Sequence, residues 1–204
     1  MEKKYKAVIF DMGGVLLRSV DSVPRDAIAR RFGTTREKLE KFVFRSLTSV
    51  QSEIGEVSDI FHWETVLRHF GHSEEDPRKI YAEYFSGDAI DQDLLEFAES
   101  LKPEIKIGLL SNAWVDSRKR LGALFNFIEI FDVSIFSAEV KARKPEPEIY
   151  RIMLEKLDVK PDESIFIDDF PENIEGAKKL GISTILFKNT QDTIRNINST
   201  LGRG

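Results

Sequence analysis

The sequence predicts an α/β protein, a Rossmann-like parallel sheet with helices on both faces and an all-helical insertion. The first observation is a set of short, largely apolar runs, Ala7-Val-Ile-Phe10, Lys106-Ile-Gly-Leu-Leu110, Asp132-Val-Ser-Ile-Phe136, Ser164-Ile-Phe-Ile167 and Ser183-Thr-Ile-Leu-Phe187, each too short for a helix. The second is that, from about residue 88 onward, these runs alternate with stretches of helical period, the rhythm of a parallel sheet. The third is that only helical period appears between residues 18 and 87, after the first run and before the second.

Taken in order, the first strand stops at Asp11, and Gly13-Gly14 follow as a sharp turn that brings the backbone close to whatever the carboxylate holds. Ile28, Ala29 and Phe32, then Leu39, Phe42 and Val43, then Ile60, Phe61, Val66, Leu67 and Phe70 recur at spacings of three and four. Gly33-Thr34 and Gly71-His72-Ser73 supply stop and cap chemistry between these helices. Leu94, Leu95, Phe97, Ala98 and Leu101 mark a helix that ends before Pro103, and the second strand, from Lys106, ends at Ser111-Asn112. A helix through Leu121, Leu124 and Phe125 leads to the third strand. The basic turn Lys141-Ala-Arg-Lys144-Pro145 opens a helix over 149–157. The fourth strand ends in Asp168-Asp169, a helix through Ile174, Ala177 and Leu180 follows, and after the fifth strand a polar tail from about Thr190 is expected to form a short helix. The expected organisation is a core made of residues 1–17 and 88–204, interrupted by the helical insertion 18–87.

Composition narrows the function. The chain has 204 residues, 41% of them hydrophobic, enough for a packed core, and its formal net charge of -5 argues against nucleic acid as a partner. It has no cysteine, so disulfides, thiolate nucleophiles and cysteine–zinc sites are excluded. No apolar run reaches the roughly 18 residues a membrane span requires, and no signal-peptide core follows Met1, so a cytoplasmic protein without a membrane partner is expected.

Asp11, Ser111-Asn112, Lys144 and Asp168-Asp169 all lie at the carboxyl ends of strands or in the loops beyond, which share one edge of a parallel sheet. Three converging carboxylates repel one another unless a cation lies between them. Oxygen ligands without His or Cys favour a hard ion such as Mg²⁺, which keeps waters and phosphate in its shell. With a lysine and a hydroxyl alongside, the set suggests phosphoryl transfer.

These segments carry a resemblance. Phe10-Asp11-Met-Gly-Gly-Val-Leu16, Leu110-Ser111-Asn112, Lys144-Pro145-Glu-Pro-Glu-Ile-Tyr150 and Ile167-Asp168-Asp169-Phe-Pro-Glu-Asn173 resemble, in order, the four signatures of the haloacid dehalogenase superfamily of hydrolases. The similarity is greatest to its bacterial sugar-phosphate phosphatase branch, and the insertion resembles that family's helical cap. The resemblance implies that Asp11 attacks phosphorus to form an aspartyl-phosphate, and that Mg²⁺ is held by Asp11, the Gly13 carbonyl and Asp169, with Asp168 acting through water. It further implies that Ser111 and the Asn112 amide hold phosphate oxygens, that Lys144 offsets charge on Asp11 and on the transferring group, and that Asn173 orients the acidic loop. The substrate implied is a small phosphorylated metabolite.

One position departs from the pattern. Most phosphatases of this family carry a second Asp two residues after the nucleophile as general acid and base; here Gly13 stands there, and loss of such a group typically costs about 10²–10⁴ in rate. Water, a cap residue or the substrate supplies the proton, or the leaving group needs little protonation, as in an aryl or acyl phosphate, or the protein binds phosphorylated ligands without turnover. Ser111-Asn112-Ala113-Trp114 also resembles the loop of metal-independent 2-haloacid dehalogenases, against which the Asp168-Asp169 pair speaks. Of the remaining residues, His62, His69 and His72 read as ordinary helix and turn positions, Phe61 and Trp63 as cap core, Trp114 as either core or substrate contact, and Arg118-Lys-Arg120 as an exposed helix face. Lys141 and Arg143 read as solvated, or else as contacts to an anionic substrate.

Overall fold

The computed structural model describes residues 4–125 and 127–203. Strand β1 (Ala7–Phe10) is followed by a short β2 (Leu17–Ser19), and then by helices α1 (Val23–Arg31), α2 (Arg36–Arg45), α3 (Leu47–Glu53), α4 (Asp59–His69) and α5 (Pro77–Tyr84). Next come β3 (Asp88–Ile90), α6 (Gln92–Ser100), β4 (Lys106–Ser111), α7 (Ser117–Phe125), β5 (Val133–Phe136) and α8 (Ser137–Val140). The chain closes with α9 (Pro147–Leu157), β6 (Ser164–Asp168), α10 (Pro171–Lys178), β7 (Ser183–Leu186) and α11 (Thr190–Leu201).

The main sheet has the order β5-β4-β1-β6-β7 and is parallel throughout, so β1 is central. Phe10 lies level with Leu109 of β4 and Ile167 of β6, and all three strands therefore deliver their next residues to the same edge. Successive residues of β1 serve opposite faces. Val8 and Phe10 pack with Leu94 and Ala98 of α6, Leu121 of α7 and Ile197 of α11. Ala7 and Ile9 pack with Ile149, Met153 and Leu157 of α9 and with Ile174 and Ala177 of α10. With both faces covered, the strands are apolar end to end, which is why they read as continuous runs rather than as alternating patterns.

The helices α1–α5 build a separate apolar cluster around Ile28, Leu39, Val43, Trp63, Val66, Ile80 and Tyr84. Their starts are capped by side chains: Thr35 accepts from Lys38 N–H, Ser58 from Phe61 N–H and Asp76 from Arg78 N–H. Thr34 and Ser73, expected at caps, lie just upstream of these positions, in turns where Gly33 and Gly71 adopt positive φ.

One expectation is corrected here. The insertion is not purely helical, because β2 and β3 pair antiparallel at its base, Leu17 opposite Ile90. Three-residue strands are too short to show alternation, and this pairing joins residues far apart in sequence. The tail forms the expected final helix from Thr190: α11 spans 12 residues and buries Ile197 and Thr193, its start capped by Asn189. Its polarity is that of a helix with one narrow buried stripe.

His62 is fully buried in the helical block. Its Nε2–H donates to the Val43 carbonyl at 2.9 Å, which leaves Nδ1 to accept from the Thr48 hydroxyl at 2.9 Å. Burial pulls its pKa down to about 4 from an ordinary 6.5. A depressed imidazole means that the unfolded chain binds the extra proton first, so stability is lost as pH falls from about 6.5 towards 4. The loss at the acid end is on the order of 3 kcal/mol. Thermal melts across this range are expected to show the decline in the wild type and a flatter profile in His62→Gln.

Candidate active site

Asp11 leaves the end of β1, its N–H bonded to the Ile167 carbonyl at 2.8 Å, and is almost completely buried. Lys144 reaches the same point from the loop before α9. Its Nζ lies 2.5 Å from Asp11 Oδ1 and 2.7 Å from Asp168 Oδ2, and the side chain is 1% exposed. A lysine buried to that degree remains charged only because two carboxylates face it, and these hold its pKa up against the opposing effect of burial.

The loop that presents Lys144 is tied to the end of β4. Asn112 Nδ2–H donates to the Lys144 carbonyl at 2.9 Å, and Lys144 N–H donates to Asn112 Oδ1 at 2.8 Å. The Asn112 side chain is therefore occupied, and what this residue can offer a ligand is its main-chain N–H. Ser111 is buried beside it, and its hydroxyl makes only a long contact of 3.4 Å to the Asn112 carbonyl.

The acidic loop is similarly braced. Asp168 accepts from the Phe170 N–H at 2.8 Å and from the Asn173 amide at 3.0 Å on each oxygen, and the Asn173 carbonyl accepts from the Tyr150 hydroxyl at 2.8 Å. Asn173 thus stands where the sequence expected it, whereas Tyr150 was not singled out, because an aromatic at helical spacing reads as core.

Asp11, Asp168 and Asp169 each present an oxygen within 4.8 Å of the others. Burial pushes Asp11 up to about 8, countered by Lys144 and reinforced by Asp168 and Asp169. Asp169 is pushed up to about 6 by burial and by Asp168, and its buried Oδ1 has no hydrogen-bond partner. One ammonium against three carboxylates leaves net negative charge and an orphaned oxygen, and the donor set is all oxygen. These residues fit a hard divalent cation such as Mg²⁺. Gly14 makes the approach possible: its φ is +84°, and a Cβ there would lie 2.3 Å from Asp169 Oδ2.

Several side chains read as surface or as ambiguous in sequence instead join the helical block to this edge. Trp114, immediately beyond the Ser111 loop, inserts into the block's core and donates its indole N–H to Ser49 Oγ at 3.2 Å. Arg120 is not on an exposed face but pairs with Asp59, which is fully buried and also accepts from Ser52 and from the Asp116 N–H. Arg143 is not solvated but holds buried Glu53 at 2.7 Å. Trp63 is buried as expected, whereas Phe61 is 44% exposed. Helical period placed Phe61 on the wrong side of α4 because its i+4 neighbour, Thr65, marks the outer face.

With this geometry in place, the comparisons agree on one class. The sequence pattern of the haloacid dehalogenase-like hydrolases matches residues 5–181, and the chain belongs to that family. It is 29% identical to a phosphorylated carbohydrates phosphatase of Thermotoga maritima over 184 residues, covering 88% of this chain and 83% of the relative. It is 27% identical to rat bifunctional epoxide hydrolase 2 over 97% of this chain but only 39% of that protein. The chain therefore spans less than half the length of that relative, and 23% of the mouse protein of the same name. Among solved structures it resembles a haloacid dehalogenase family enzyme of Bacteroides thetaiotaomicron in complex with magnesium and inorganic phosphate. The TM-score is 0.74 at 27% identity, over 90% of this chain and 94% of that one.

Proposed function

We propose that this chain is a Mg²⁺-dependent phosphatase that hydrolyses a small phosphorylated metabolite through a covalent intermediate on Asp11. The observation that carries the reading is the buried Lys144 ammonium, set between Asp11 and Asp168 beside the unpartnered Asp169 oxygen. A carboxylate held in this way is a nucleophile aimed at an electrophile that brings its own negative charge, and a phosphoryl group fits that description. The phosphatase relative and the magnesium–phosphate complex of the structural neighbour support it.

In this reading Asp11 forms the bond to phosphorus while the alcohol departs. Ser111 and the Asn112 N–H hold phosphoryl oxygens, and Lys144 offsets charge on the equatorial oxygens as it spreads. Asp11, the Gly13 carbonyl and Asp169 would hold Mg²⁺, with Asp168 contributing through water, and the ion would supply charge neutralisation for the phosphoryl group. Asn173 and Tyr150 keep Asp168 aimed at Lys144. We read residues 18–87 as a cap over a core of 1–17 and 88–204, a division supported by the block's own apolar cluster and by the β2–β3 pair at its base.

Hydrolysis of p-nitrophenyl phosphate is the test. Activity is expected with Mg²⁺, to fall by at least about 10²-fold in EDTA, and to return when Mg²⁺ is restored. Turnover of a chlorinated acid in EDTA, or phosphate binding with no turnover under any metal condition, would overturn the proposal.

A further inference from the structure

Gly13 is a glycine at a position where the backbone does not require one. It is absent from the residues with positive φ, and a Cβ built on it meets no atom within 4 Å. Gly14, its neighbour, is the opposite case on both counts. The residue after Met12 is thus an exposed glycine two positions from Asp11 where a Cβ would meet only open space. The charges that bear on Asp11 are those of Lys144, Asp168 and Asp169, which form the site already described. The buried acids and imidazole of the helical block are engaged elsewhere: Glu53 by Arg143, Asp59 by Arg120, and His62 by Thr48 and Val43. None of these three is left free to give a proton to a departing alcohol.

Phe170, directly after Asp169, is 42% exposed, and Arg45 at the end of α2 lies over its ring at 5.6 Å, bringing the helical block against the acidic loop. Phe44, beside Arg45, is 38% exposed and stacks at 6.0 Å on Trp114, which follows the Ser111-Asn112 loop. Phe170 beside the acidic loop and Phe44 on Trp114 offer half-exposed aromatic surface that suits an apolar ligand portion.

We infer that the leaving group taken by this site is an apolar alcohol of low pKa, making the substrate class an aryl phosphate, with the ring in the volume beside Gly13 and against Phe44 and Phe170. The inference rests on the phosphatase reading. An Asp11 oxygen bonds to phosphorus as the P–O(aryl) bond breaks, and the electron pair leaves on the phenolate oxygen, which needs no proton from the protein to depart. Water then attacks phosphorus and Asp11 leaves as a carboxylate. Of the two protons from water, one stays on phosphate and the other reaches the phenolate through solvent.

The test is kcat/KM for a series of substituted phenyl phosphates and for glycerol phosphate, with Mg²⁺, in the wild type and in Gly13→Asp. In the wild type, kcat/KM is expected to fall steeply as the leaving-group pKa rises. Gly13→Asp, where an added Cβ meets no atom within 4 Å, is expected to raise the glycerol phosphate rate relative to that of p-nitrophenyl phosphate by about 10²–10⁴-fold and so to flatten the slope. Phe170→Ala is expected to raise KM for phenyl phosphate but not for acetyl phosphate, which has no ring. Wild-type rates on glycerol phosphate equal to those on phenyl phosphates would overturn the inference while leaving the phosphatase standing, and the wild-type series decides this even if a variant fails to fold. Absence of turnover across the whole series would overturn the phosphatase reading and the inference with it.

Discussion

Asp11→Asn is expected to abolish phosphate release, by at least about 10⁴-fold in kcat, because an amide oxygen cannot serve as the nucleophile and nothing else at the edge of β1 can replace it. The same change is expected to leave the fold intact or stabilise it. Burial pushes the Asp11 carboxyl up to about 8 from an ordinary 3.8. A carboxyl raised in this way contributes stability below about 4 that is lost as pH rises through about 8, so the native protein carries a cost there which asparagine does not. Melting in metal-free buffer should place the variant above the wild type at pH 8 and close to it at pH 4. A variant that is both inactive and unfolded would show that Asp11 holds the structure together rather than performing the chemistry.

Lys144→Ala has the second large effect, on stability as well as rate. Removing the ammonium leaves Asp11 and Asp168 facing each other and Asp169 without their counter-charge. Breaking a buried pair by deleting one partner costs about 3–5 kcal/mol. Asp11, which burial already raises, loses the ammonium that opposes the rise, so the variant is expected to gain stability as pH falls from 8 towards 4, and to gain it at neutral pH when Mg²⁺ is added. Turnover is expected to drop by about 10²–10³-fold at saturating Mg²⁺, since the ion replaces charge but not the ammonium's position. A variant with wild-type melting and turnover would remove Lys144 from the site.

How much of this was legible follows from how local each signal was. The β1 run ending at Asp11, and the runs ending at Ser111 and Asp168, are continuous and apolar because both faces of the sheet are buried, and such strands announce themselves. Their carboxyl ends converge because the sheet is parallel and β1 is central, so a reading of strands alone assembled Asp11, Ser111, Asn112, Lys144, Asp168 and Asp169 on one edge. What stayed hidden depends on partners distant in sequence. The β2–β3 pair joins Ser19 to Asp88 across the whole helical block. Arg120 and Arg143 look like surface charges until Asp59 and Glu53 are found opposite them, and Trp114 looks like part of the phosphate loop until its indole is traced to Ser49. The two glycines after Asp11 read alike in sequence. Only their backbone angles and surroundings separate Gly14, which the turn requires, from Gly13, which it does not.

The covalent step on Asp11 is the centre of the account, and it can be observed directly. Enzyme mixed with an aryl phosphate and Mg²⁺ is quenched rapidly in acid, reduced with borohydride and digested, and the peptide carrying residue 11 is examined by mass spectrometry. An acyl phosphate at this position is reduced to homoserine, so homoserine at residue 11, absent when substrate is omitted and absent in Asp11→Asn, is the result predicted. Phosphate release during steady turnover, with residue 11 recovered only as aspartate at every quench time and homoserine at another acidic position, would contradict it.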